Sequence, residues 1–129
     1  LLTPVHLGTG AEATIRFAAQ LARCLSCRLI GTGADQLELP YYGDGAGMVD
    51  AVLVENARAV MEEDLAKAQA LFRRAADGVA LDWRSAVDAP AGFVLTQSRA
   101  ADLVVLARQG GGDPPLGRMG VAPGDVVLE

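Results

Sequence analysis

The sequence predicts an α/β domain built on an open parallel sheet, and three observations predict it. Ala101 to Gly112 reads Ala-Asp-Leu-Val-Val-Leu-Ala-Arg-Gln-Gly-Gly-Gly, a short apolar, β-branched run emptying into glycines, as a buried parallel strand does at its carboxyl end. A strand pattern, a helix pattern and a second strand pattern follow one another between Leu1 and Ala34, which fits a right-handed parallel crossover. The 129 residues suffice for one domain that buries roughly two-thirds of the surface of its unfolded chain. In such a sheet ligands sit outside the carboxyl ends of the strands, where strand order reverses. The glycine-rich loop after the Ala101 run is therefore the expected site, since a bare backbone can approach a phosphate closely.

The chain opens with an apolar run, Leu1 to His6, read as the first strand and as a trimmed start. Pro4 is placed at that strand's carboxyl end, because proline cannot donate to a ladder. From Ala11 to Leu25 the residues Ile15, Ala18, Ala19, Ala22 and Leu25 recur at three- and four-residue spacing, one stripe of an amphipathic helix. Thr9 or Gly10 caps it, and Glu12 stands in the first turn, where the helix dipole favours negative charge. Arg28 to Ala34 is the second strand. Asp35 to Gly47, with Pro40, Tyr41 and Tyr42, is a long irregular loop, read as a solvated connector, with a lid or an interface as the alternative.

Met48 to about Asp77 is a long helix, with Val49, Val52, Leu53, Val60, Met61, Leu65, Ala68, Leu71 and Phe72 inward and Glu62, Glu63, Lys67, Arg73 and Arg74 outward. Gly78 stops it. Val79 to Val87 alternates Leu81, Trp83 and Ala86 with polar residues, as an edge strand does. Pro90 to Ser98 is a short helix with proline in its first turn. Asp102 to Ala107 is the fourth strand, opened by Asp102 as a cap, and Pro123 to Glu129 begins a last helix.

Hydrophobic residues make up 51% of the chain, yet no apolar run approaches the roughly 20 residues that span a bilayer. A net charge of −5 and a pI near 4.8 argue against nucleic acid and anionic membranes as partners. Two cysteines cannot build a disulfide framework, so a reducing, cytoplasmic address is expected. Cys24 and Cys27 lack a second Cys/His pair for zinc, and they stand at a helix C-terminus, where the dipole opposes thiol activation. They read as packing residues, and no metal site is expected.

Several stretches together are similar to the universal stress proteins, the UspA-like family. Leu1-Leu2-Thr3-Pro4-Val5-His6-Leu7-Gly8 resembles that family's first strand, and the alanine-rich helix ending Leu21-Ala22-Arg23, the second strand and Ala101-Asp102-Leu103-Val104-Val105-Leu106 follow in the same order and spacing. The resemblance covers nearly the whole chain. It implies a Rossmann-like, adenine-nucleotide α-hydrolase-like fold: an open parallel five-stranded sheet in order 3-2-1-4-5 with helices on both faces. The fifth strand would fall beyond Glu129, which implies a domain clipped at its C-terminus or one half of a tandem pair. It also implies pairing, as a homodimer or with a second similar domain.

The ATP-binding members carry an Asp at the end of the first strand. After the fourth they carry Gly, two residues, Gly, nine residues, then Gly followed by Ser or Thr. Here the aspartate position is His6, the first glycine is Ala107, the second is Gly110, the third is Gly120, and Val121 replaces the hydroxyl. Leu7, Ala34 and Arg108 complete the candidate nucleotide-binding residues. Ala107 adds a methyl where backbone approaches phosphate, and Val121 removes a donor. Asp113, Pro114 and Pro115 set a carboxylate in the loop and delete two backbone donors, and Asp125 adds a carboxylate at a helix N-terminus. Arg108 and Arg118 flank the loop as phosphate partners.

His6, the one histidine, reads as a structural residue, because a general base needs an orienting partner. The expected function is a regulatory or structural stress-response module, non-enzymatic, with a degenerate nucleotide crevice and no cofactor. The alternatives are a module that binds ATP, ADP, AMP or another small ligand, and a weak nucleotide hydrolase.

Overall fold

The computed structural model describes residues 1–37, 51–108 and 114–127. Over these the chain forms β1 (Leu2–Pro4), α1 (Ala11–Cys24), β2 (Leu29–Asp35), α2 (Ala51–Ala75), β3 (Leu81–Val87), α3 (Pro90–Ser98) and α4 (Pro123–Val127). The three strands make one parallel sheet in order β1-β2-β3, with Leu2 opposite Ile30 and Leu29 opposite Leu81. β2 is central and buried at every residue, whereas no residue of β3 is fully buried, as its alternating pattern predicts for an edge.

The run around Val104 reaches the other edge of β1. Leu2 donates its N–H to the Leu103 carbonyl at 2.9 Å and accepts from the Val105 N–H at 2.8 Å, while Leu1 C=O and Val5 N–H bond to β2. Across the molecule the succession is therefore β3, β2, β1, Val104. The fourth strand expected over Asp102 to Ala107 is reduced to the single parallel bridge between Leu2 and Val104. Pro4 supplies the reason. Alternate residues of β1 face this edge, so Pro4 is due to make the next donation after Leu2, and it has no N–H. Three strands and one bridge are what the described residues form, so pairing sets the succession 3-2-1 and not the five-strand order.

Helices cover both faces. On one, Ile15, Ala18, Ala19 and Ala22 of α1 and Ala68 and Phe72 of α2 bury against Leu1, Val5 and Leu29. Gly31 and Gly33 of β2 lie beneath them, with aromatic side chains where a Cβ would be: Phe72 over Gly31, Trp83 over Gly33. On the other face Val94 of α3 and Val121 pack on Leu2 and Ile30.

Some boundaries differ from the expected ones. Gly10, at φ +85°, is the N-cap of α1, and the helix ends at Cys24, one residue before Leu25, which is 56% exposed. The ending is a Schellman motif. Ser26 at φ +50° donates its N–H to the Arg23 carbonyl at 3.1 Å, and Cys27 donates to that of Ala22 at 3.0 Å. Asp35 belongs to β2 rather than to the following loop.

α2 corrects the longest expectation. Met61, Ala68 and Phe72 are buried as read, but Val52, Leu53 and Val60 are exposed. At ~1.5 Å per residue α2 is about 37 Å long, against about 23 Å for a seven-residue strand at ~3.3 Å per residue. The first turns of α2 thus run past the end of the sheet, with no strand beneath them among the described residues. Residues 48–50 and most of the expected 35–47 loop lie outside the described residues. Among the described residues, no helix is long and apolar enough to cross a membrane.

Candidate functional site

The ends of β1 and of the Val104 run meet the N-terminus of α1. Because the chain leaves β1 through Gly8, Thr9 and Gly10 and turns straight into α1, the positive end of that helix is set beside Ala107 and Arg108. The result is a crevice of about 310 Å³ lined by Thr9, Gly10 and Thr14 together with Ala107, Arg108 and Leu116. Arg108 is exposed to solvent there. The Thr14 hydroxyl is committed to the Gly10 carbonyl at 3.1 Å. A second recess of about 230 Å³ lies between Leu7, Gly8, Asp64 and the 115–119 segment. Leu116 walls both.

His6 is 5% exposed, and its Nδ1 accepts the Gly8 N–H at 3.0 Å. Burial lowers its pKa, so the ring is neutral near pH 7 and carries its proton on Nε2, which has no partner among the described residues. Gly8 makes room for this arrangement, since a Cβ there would stand 3.0 Å from His6 Nδ1 and 3.2 Å from the Leu116 carbonyl.

The other candidate residues divide. Ala107 and Arg108 line the crevice and Leu7 lines the second recess. Ala34 is buried in β2 opposite Ala86. Val121 points into the core against Leu2, Ile30 and Val94. Gly120 closes a tight turn by donating to the Gly117 carbonyl at 3.0 Å, and a Cβ on Gly120 would overlap that of Leu116. Gly110 and Asp113 lie outside the described residues.

Arg118, which the sequence offers to phosphate, is paired with two carboxylates. Its Nη2 stands 2.9 Å from Asp35 Oδ2 and 2.9 Å from Asp64 Oδ2. The Asp64 contact is a hydrogen bond. The Asp35 contact is an ion pair without hydrogen-bond alignment, and Oδ1 of Asp35 has no partner among the described residues. Asp35 has 1% of its side chain exposed, so its charge is neutralised by the guanidinium in a poorly solvated place. Neither aspartate belongs to a motif, and sequence reasoning misses both. The one signal open to it is a carboxylate directly after an apolar strand, at Ala34-Asp35. Cys24 and Cys27 are free thiols, the first exposed. Among the described residues, no group of three His, Cys, Asp or Glu side chains is placed to hold a metal ion.

No protein-family model matches the sequence, and no curated protein does. Solved structures do. A universal stress protein from Archaeoglobus fulgidus superposes with a TM-score of 0.58 at 18% identity, covering 99% of this chain and 90% of that one. The universal stress protein UspA from Lactobacillus plantarum gives 0.65 at 16% identity, over 98% and 89%. A universal stress protein solved in complex with cAMP gives 0.58 at 19% identity, over 98% and 87%. At these identities the likeness is one of architecture, and it runs nearly end to end: the chain has the universal stress protein fold.

Proposed function

We propose that this chain is a universal-stress-type regulatory module that acts by binding and association rather than by catalysis, with a crevice that no longer grips a nucleoside triphosphate. The observation that carries the reading is the disposition of Arg118. Held between Asp35 and Asp64, it leaves Arg108 as the guanidinium lining the crevice. Triphosphates are bound through several donors and cations acting together, and Val121, turned into the core, adds no hydroxyl to that set. His6 is neutral and bonded to its own loop, and a base needs a carboxylate or similar group to orient it. The net charge of −5 speaks against nucleic acid, and the resemblance to the universal stress proteins supports a second copy or a similar domain as the partner.

A second reading rests on a specific observation. Arg108 and Thr9 both line the crevice at the positive end of α1, a setting for one phosphate rather than three, and one neighbour of the same fold was solved with cAMP. A thermal-shift titration with ATP, ADP, AMP and cAMP, with and without Mg²⁺, separates the two. A ligand at 100 times its Kd adds about 2.7 kcal/mol, several degrees for a domain of this size. The expected result is a flat midpoint with ATP into the millimolar range. A rise with AMP or cAMP alone supports the second reading, and a rise with ATP overturns the first.

A further inference from the structure

We propose that Asp35, Arg118 and Asp64 form an ionic latch that holds the 114–118 segment down across the end of the sheet, and that releasing it opens the wall between the two recesses. The three residues come from three separate places: the end of β2, the middle of α2, and the loop before α4. Arg118 and Asp64 are 54 positions apart and have no local reason to meet. Their meeting fixes the loop. Within that loop Gly117 takes φ +78° and accepts the Gly120 N–H at 3.0 Å, a tight turn that carries Arg118 and Met119 and against which Leu116 packs.

Among the described residues, two side chains fasten that turn on the α1/α2 side, and they differ in kind. Met119 is 6% exposed in the apolar cluster of α1 and α2, a burial that resists release and serves as the pivot. The Arg118 side chain is 40% exposed and Asp64 25%, so this contact is reached by solvent and salt and parts without disturbing the core. What keeps it closed is Asp35. Its side chain is 1% exposed, and withdrawing the guanidinium leaves a buried carboxylate uncompensated, a costly state that draws Arg118 back. Leu116, carried on the same segment, walls both recesses, so lifting it joins them into one larger space. The latch thus governs access whatever the ligand is, and it goes beyond the binding reading above.

The test is hydrogen exchange followed by mass spectrometry on the whole chain. Arg118→Ala alone strands Asp35, so the informative variants are Asp64→Asn and the double variant Asp35→Asn with Arg118→Gln, which removes both charges at once. The expected result is exchange at the Gly120 amide, which is bonded to the Gly117 carbonyl, faster by about tenfold in the double variant and by a smaller factor in Asp64→Asn, with β2 and α1 protection unchanged. Wild-type exchange at Gly120 in Asp64→Asn, or in a folded double variant, overturns the latch. Equal acceleration across β2 and α1 also overturns it, since that is global loosening rather than a hinged loop.

Discussion

Phe72 lies directly on the bare backbone of Gly31: a Cβ built there stands 2.8 Å from three carbons of the ring. Such a distance is overpacking, and Phe72 is fully buried. Gly31→Ala is expected to cost about 1–3 kcal/mol, read as a lower urea midpoint at unchanged m-value. An unchanged midpoint shows that the ring shifts freely.

The two halves of α2 are expected to respond differently to the same chemistry. Phe72→Ala removes a ring from the core and costs about 3–5 kcal/mol, whereas Val52→Ala, at a position 63% exposed, stays within about 0.5 kcal/mol. Denaturation of both variants checks it, and comparable losses contradict the overhang of α2.

At the end of α1, Ser26 occupies the left-handed position of a Schellman motif at φ +50°. A residue with a Cβ is strained there and glycine is not. Ser26→Gly is expected to stabilise the protein by about 0.5–1 kcal/mol, a rise of a few degrees in Tm. Destabilisation instead shows that the serine side chain holds the turn.

His6 sets a pH dependence. Its folded pKa is lowered from 6.5 by burial, so the unfolded chain binds the proton more readily and stability rises with pH. The contribution is complete above about 6.5, the unfolded value, and is lost as pH falls through the folded value. His6→Asn keeps an acceptor for the Gly8 N–H without the titration. The difference in Tm between wild type and this variant is expected to shift against the wild type between pH 7 and pH 5. A constant difference sinks the assignment.

What the sequence discloses here is local. The stripe Ile15, Ala18, Ala19, Ala22 and the proline opening α3 are written in consecutive residues, and the structure keeps them. The alternation at Leu81 and Trp83 marks β3 as an edge for the same reason. Features that depend on distant partners are hidden. Nothing in Asp102 to Ala107 reveals that its ladder stops after one bridge, because the limit is Pro4 on the opposite strand. The periodicity of Val52, Leu53 and Val60 marks a face of α2 but not whether a sheet lies under it. At the site, spacing assigns Val121 to a position in a motif and sets Arg118 beside the loop. Spacing carries no direction, and one turns into the core while the other is claimed by two aspartates.

The flanks of β1 have a consequence for the order in which the protein assembles. On one side its partners are near in the chain, with Leu1 and Arg28 27 positions apart. On the other, the Thr3 hydroxyl bonds to the Val105 carbonyl across 102 positions. Closing so long a span comes late, after shorter pairings have formed. A ribosome-bound chain can therefore join β1 to β2 early, yet it carries an open strand edge until Val105 has emerged. That edge is a ready template for another nascent copy, and the bridge at Val104 is what withdraws it.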